Sequence, residues 1–414
     1  MINKGFKRRA AGSCAVLIAL ILGASGCGQS AGGSGVVSGG NTQTESEADS
    51  GKNNTEGNAG QDSQKSSAQI SKPVVREIYD VMTVPFMKLQ AYGDGAEEGL
   101  DLSVEKIKAL DALLSTGDPE SEIGRLNETG SGQLGEDASY LLTTSLGLYH
   151  DTEGRFDVSV YPLMELWGFT SLYRSTFEEA VAAAEKAKNG EDPTEEEVRT
   201  VPSDADIKAA LAHVGASKIE FDPESGKITL PEGMKIDFGG IAKGYASQCA
   251  ADILREKGVK NALIDLGGNI QTVGTKPDGS KWRIALNDRN HGGFLGILTV
   301  EDCAVITSGG YERNFKDAKG KEYHHILDPK TGYPVDNGFS IDSSVTIISK
   351  SGTMADALST AMYVCGPEKA AEYWKAHSDE FEMIMMTDKD KMYVTEGIAD
   401  DYDSSYSFEI IKKS

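Results

Sequence analysis

The sequence predicts an α+β fold in which helices are layered on mixed, mainly antiparallel sheets. Three observations carry that prediction. Short strand-like segments follow one another across tight turns, the spacing of antiparallel pairs. Longer segments place apolar residues three and four apart, on one face of a helix. The regular strand–helix–strand alternation of a doubly wound parallel sheet is absent.

Taken in order, 84–92 reads as a strand and 96–115 as a helix with Leu100, Val104, Ile107, Leu110 and Leu114 on one face. A second helix spans 138–152 and ends near Gly154. The Ala/Glu/Lys-rich stretch 176–189 predicts a helix, followed by an acidic loop through Glu197. A short helix is expected at 207–213, then strands at 219–221, 228–230 and 235–238. The long helix 241–257 closes at Gly258, a C-terminal cap. Strands follow at 262–265, 282–286, 296–300, 304–307 and 344–348, and helices at 353–365 and 368–378.

Composition sets limits. With 414 residues the chain can bury a sizeable core, and its formal net charge of −23 argues against broad contact with nucleic-acid phosphates. None of Cys249, Cys303 and Cys365 lies in a C-x-x-C pair, so neither a zinc site nor a disulfide framework is suggested. At the N-terminus, Lys4, Lys7, Arg8 and Arg9 precede an apolar run at 15–22 that is too short to span a bilayer. Ala24-Ser25-Gly26-Cys27 then resembles a bacterial lipoprotein signal, which would leave Cys27 lipid-bearing at the start of the mature chain. The expected organisation is therefore a signal peptide over 1–27, a disordered tether over 28–72 that is too polar to fold, and one domain over 73–414. That address implies a bacterial cell membrane, on its extracytoplasmic face.

Three segments carry chemistry. In Lys235-Ile-Asp237-Phe-Gly239-Gly240-Ile-Ala-Lys243 a glycine pair opens a long helix. The free N–H groups there attract phosphate, and Lys243 adds a cation where the helix dipole is already positive. Neither stock nucleotide motif fits, and a plain tight turn with a solvated lysine stays equally open. In Thr353-Met-Ala-Asp356-Ala-Leu-Ser-Thr360 a carboxylate and a hydroxyl stand four apart on one helix face, two hard-oxygen ligands for Mg²⁺. The same residues also fit an N-terminal capping arrangement. His324-His325 precedes an Asp328-Pro329 turn, where one imidazole can serve as base or phosphate ligand and the other must face away. Two aromatic-bearing stretches, Gly154-Arg155-Phe156-Asp157 and Leu166-Trp167-Gly168-Phe169, suit either core or a flat ring.

In this order the segments resemble the ApbE family, the FAD:protein FMN transferases. The matching parts are Asp-x-x-Ser-Glu-Ile at 118–123, Phe156-Asp157, the 237–245 segment, Thr307-Ser308-Gly309, His325-Ile-x-Asp-Pro and Ala355-Asp-Ala-Leu-Ser-Thr360. The resemblance implies a T-fold-like arrangement of two lobes with FAD in the cleft between them. It implies Mg²⁺ on Asp356, Thr360 and the carbonyl of Gly240, and Asp237 and Lys243 along FAD. Met82, Phe156 and Asp157 would house the cofactor, with His325 beside the reacting phosphate. The activity implied is Mg²⁺-dependent transfer of FMN from FAD to a threonine or serine, with release of AMP. The acceptor implied is a flavoprotein subunit of an exported redox complex of the Rnf/Nqr kind, and nucleic acid is no partner. Two rivals are an Mg²⁺-dependent FAD pyrophosphatase and a lipid-tethered flavin-binding protein. The chain departs from the family at Met82-Thr83-Val84, where Met-Gly-Thr is usual, and at Gly117, where an aromatic is usual. A missing ring removes one stacking surface and bears on FAD affinity rather than on the chemistry.

Overall fold

The computed structural model describes residues 72–170, 181–182, 185–186, 199–288 and 291–414. The expected signal peptide, nearly all of the expected tether, Cys27 and most of the 176–197 stretch lie outside the described residues.

A nine-stranded sheet forms the centre. Its spatial order follows chain order: Val74–Val81, Val84–Tyr92, Asn261–Asp265, Ile270–Val273, Ala304–Gly309, Ser344–Ser349, Phe381–Met386, Met392–Thr395 and Phe408–Ile411. All neighbours are antiparallel except the last pair, Met392–Thr395 with Phe408–Ile411. The mixed, mainly antiparallel α+β expectation therefore holds.

Strand periodicity divides the core. Ile306, Ile347 and Met383 face one side, where the helices Ala96–Leu114, Ala242–Glu256 and Gly352–Cys365 pack against the sheet and one another. Val305, Ile348 and Ile384 face the other side, covered by a small sheet of Trp282–Asn287, Phe294–Val300 and Tyr402–Asp403. Every residue of Ser344–Ser349 is consequently buried. A third, aromatic-rich core joins the short helix Tyr161–Leu166 to the ribbon of Asn314–Lys316 and Glu322–His324 through Trp167, Phe169 and Phe315. Trp167 Nε1 pins this lobe by donating to Gly332 O at 2.9 Å.

One predicted strand is corrected. Residues 235–238 form no strand and pair with none. The carboxamide of Asn127 replaces a neighbour, donating to Ile236 O and accepting from Ile236 N, both at 2.8 Å. Five strands of the central sheet were not anticipated: Val74–Val81, Ile270–Val273, Phe381–Met386, Met392–Thr395 and Phe408–Ile411. Val74–Val81 is an edge strand whose Arg76, Glu77 and Asp80 blur the apolar alternation, and Phe381–Met386 is built on methionines rather than β-branched residues. Of the three described cysteines, Cys303 is buried and Cys249 and Cys365 are half-buried, all as free thiols.

Candidate active site

One end of the central sheet carries the site. The turn Met82-Thr83, the turn before Ile270, and the Thr307–Gly309 end of its strand all emerge there. With the aromatic lobe they enclose a cavity of about 510 Å³, a size that suits a small-molecule ligand. Met82, Phe156, Asp157, Asp237, Gly240, Lys243, His325, Asp356 and Thr360 all line it, and His324 does not.

Close helix packing sets the hydroxyl–carboxylate end. A Cβ on Gly244 would fall on the Gly352 carbonyl and 2.5 Å from Asp356 Cβ, so glycine there lets the Ala242–Glu256 and Gly352–Cys365 helices cross in contact. Asp356 Oδ2 then accepts from Gly244 N at 2.8 Å, an otherwise unpaired first-turn donor of the neighbouring helix. Asp356 does not cap its own helix. Ser351 does, its Oγ accepting from Met354 N at 3.2 Å, while Thr353 Oγ1 donates to Gln248 Oε1 at 3.0 Å. The hydroxyls of Ser359, Ser308 and Thr360 form a chain, with Ser308 Oγ 2.7 Å from Ser359 Oγ and 3.1 Å from Thr360 Oγ1. A Cβ on Gly240 would stand 3.7 Å from Thr360 Oγ1, which places that backbone beside the hydroxyl.

These donors are all hard oxygens, and they suit Mg²⁺. Among the described residues no group of three or more His, Cys, Asp and Glu side chains is disposed to hold a metal. A cation here would rely on one carboxylate, neutral oxygens and the oxygens of its ligand, as Mg²⁺ on a phosphorylated substrate does.

Lys243 and Arg313 bring charge of the opposite sign to the same cavity. Burial raises the pKa of Asp237, opposed by Gly239 N, which its Oδ1 accepts at 2.9 Å, and by Arg313 and Lys243. The Arg313 carbonyl accepts from His325 N at 3.0 Å and lies 3.2 Å from His325 Nδ1. With the proton on Nδ1 donated to that carbonyl, Nε2 keeps its lone pair. Burial first, then Arg313, His324 and Lys243, hold His325 well below the usual histidine pKa, so the ring is neutral at pH 7. Phe169 stands edge-on to it, centroids 6.5 Å apart. His324 turns inward instead: it is 4% exposed, and its Nε2 meets Val335 O at 2.9 Å.

Asp157 is engaged locally. Its Oδ1 accepts from Ser159 N and Oγ at 2.8 and 2.6 Å, and its Oδ2 from Ala216 N at 3.3 Å, which fixes the segment carrying the buried ring of Phe156. Met82 (φ 52°) and Thr83 (φ 59°) are both left-handed in a two-residue turn closed by the Val81–Val84 pair. Asp111 Oδ1 holds Met82 N at 2.9 Å, and the Arg313 guanidinium donates to Thr83 Oγ1 at 2.7 Å. Sequence reasoning missed Arg313, Asp111 and Asn269 as cavity residues. Arg313 lies just past the Gly-rich turn at 307–311, the one signal that pointed its way, whereas Asp111 looks like any acid on a helix's solvent face.

A cavity lined by hard oxygens, two cations and a neutral imidazole suits a phosphorylated ligand. The chain belongs to the ApbE family, whose model matches residues 82–385. It is similar to the FAD:protein FMN transferase of Vibrio cholerae serotype O1, 29% identical over 325 residues that span 77% of this chain and 87% of that one. It is also 29% identical over 300 residues to the FAD:protein FMN transferase of Escherichia coli K12, covering 69% and 77% of the two chains. The crystal structure of the ApbE protein of Thermotoga maritima superposes with a TM-score of 0.68 at 27% identity, covering 80% of this chain and 99% of that one. The flavinyl transferase ApbE of Pseudomonas stutzeri gives 0.61 at 29% identity, over 76% and 91%.

Proposed function

We propose that this chain transfers FMN from FAD to a threonine or serine hydroxyl of an acceptor protein, forming a phosphoester and releasing AMP. One observation carries the reading: Asp237, Gly240, Lys243, His325, Asp356 and Thr360, from three distant segments, line a single cavity. Relatives that bear the name of this activity support it.

Asp356, Thr360 and the Gly240 carbonyl would hold Mg²⁺, which when bound neutralises pyrophosphate charge and makes AMP a better leaving group. Lys243 and Arg313 complement the remaining negative charge. The acceptor Oγ attacks the FMN-side phosphorus; the new O–P bond forms as the bond from phosphorus to the AMP oxygen breaks. His325 Nε2 takes the hydroxyl proton, a task that a neutral imidazole suits. Positioning and electrostatics dominate such transfers, so this base need contribute only part of the rate.

Residues 1–27 direct export, Cys27 carries lipid, and 28–72 give reach to a flavoprotein acceptor of an Rnf/Nqr-like redox complex at the extracytoplasmic face. The test is incubation of the full chain with FAD, Mg²⁺ and such an acceptor, followed by mass analysis. The reading requires one FMN added to the acceptor and AMP released in equal amount. Free FMN and AMP with no adduct would mean an FAD pyrophosphatase, and FAD returned intact would mean a flavin-binding protein.

A further inference from the structure

Asn269 closes the turn joining Asn261–Asp265 to Ile270–Val273, whose tip is Gly267-Gly268. That turn is tied down. Leu266 N bonds Asn269 O at 3.0 Å, Asp265 Oδ1 accepts from Gly268 N at 2.8 Å, and Gly267 and Gly268 take φ of 72° and 99°, a backbone that glycine tolerates. Gly267 also lies against the Val84 side chain, which seats the tip beside the Met82-Thr83 turn. On its other flank is the strand carrying Thr307 and Ser308. Asn269 thus stands between the Met82-Thr83 turn and the strand of Thr307 and Ser308, on the cavity it lines.

Its side chain is 4% exposed, and Nδ2 is sealed from solvent without a hydrogen-bond partner. Buried amides are almost always paired, so a fixed, unpaired one on a ligand cavity is a group whose partner arrives with the ligand. Turning the amide half a revolution about its last bond exchanges N and O without changing its shape, which brings the NH₂ to the place of Oδ1, the atom that is not sealed. Gln271, also unpaired, differs: it is wedged against Gly352 inside the helix–sheet packing and does not line the cavity.

We infer that Asn269 is a ligand-contacting residue that sets specificity, its side-chain NH₂ donating to an oxygen acceptor of the flavin nucleotide. This rests on the reading of the cavity as an FAD site. The acceptor oxygen belongs either to a phosphate or to the flavin ring.

The test is calorimetric titration of the full chain, with Mg²⁺, against FAD, FMN, riboflavin and ADP, using Asn269→Leu and the shape-conserving Asn269→Asp. Both variants should raise the Kd for FAD about tenfold, the equivalent of one hydrogen bond. The ligand-free melting temperature of Asn269→Leu should hold or rise, because an unpaired buried amide has been removed. Equal weakening for riboflavin would place the acceptor on the ring; weakening for FMN or ADP with riboflavin unchanged would place it on a phosphate. Unchanged FAD affinity in both variants, or a collapse of ligand-free stability in both, overturns the inference. If the unsubstituted chain itself fails to bind FAD, the functional reading falls first and this inference with it.

Discussion

His324 and His325 are neighbours in sequence with opposite surroundings, and each dictates a different experiment. His325→Ala should slow FMN transfer by about 100-fold or more, the range for loss of a positioned base, with the fold intact. His324→Ala should change transfer little but lower stability by about 1–3 kcal/mol, since it removes a buried, hydrogen-bonded ring. Equal losses of turnover would mean that the two faces have been misassigned. Both rings titrate low when folded, His324 at about 4 through burial, against 6.5 in an open chain. The unfolded chain therefore binds more protons below pH 6.5, and stability is lost as pH falls from there toward 4. His324 alone contributes about 2 kcal/mol of loss between pH 7.5 and 5. A urea midpoint that moves with pH as much in His324→Ala as in the parent would contradict this. With His325 neutral, transfer should stay flat through neutral pH and decline only on the acid side; a rate that climbs on acidification would identify a cation instead.

At the scale of elements, two glycines on different helices separate packing from propensity. Gly244→Ala forces a methyl onto the Gly352 carbonyl and Asp356, so it should cost about 1–3 kcal/mol and disturb the Asp356 carboxylate together. Gly147, inside Glu136–Asp151, has open space around its missing methyl. Gly147→Ala should stabilise by about 0.5–1 kcal/mol and leave turnover alone. Thermal melts of the two variants would settle the comparison; a Gly244→Ala protein with unchanged melting temperature would show that the helix crossing can give way. The Met82-Thr83 turn illustrates the opposite economy. Two non-glycine residues in left-handed backbone cost about 1–2 kcal/mol each, and the bonds from Asp111 and Arg313 keep that turn on the cavity wall.

For the whole molecule, a chain beginning at Lys72 should fold, bind FAD and modify a soluble acceptor, because the described core begins with the strand Val74–Val81. Loss of FAD binding on that truncation would show that the tether does more than give reach. Cys27→Ala should move the full-length protein from the membrane to the soluble fraction. Excess EDTA should abolish transfer, and Asp356→Ala should do the same without unfolding the chain; activity that survives either treatment would sink the metal assignment.

The sequence by itself determined what short-range physics governs. The helix faces, the glycine pair at 239–240, the four-residue spacing of Asp356 and Thr360 and the family resemblance are all written within single segments. Tertiary structure alone decided which apparent motif serves another purpose. Thr353-x-x-Asp356 reads locally as a cap, yet its carboxylate caps a different helix because Gly244 and Gly352 let two backbones touch. Residues 235–238 read as a strand, yet an amide 109 positions away takes the place of the neighbour. Arg313 and Asn269 carried little or no signal at all, since their meaning lies in what the folded chain brings beside them: a hydroxyl, an imidazole and a cavity. Hydrogen bonding and close packing between distant residues follow from three-dimensional proximity, and pattern along the chain does not encode that one residue at a time.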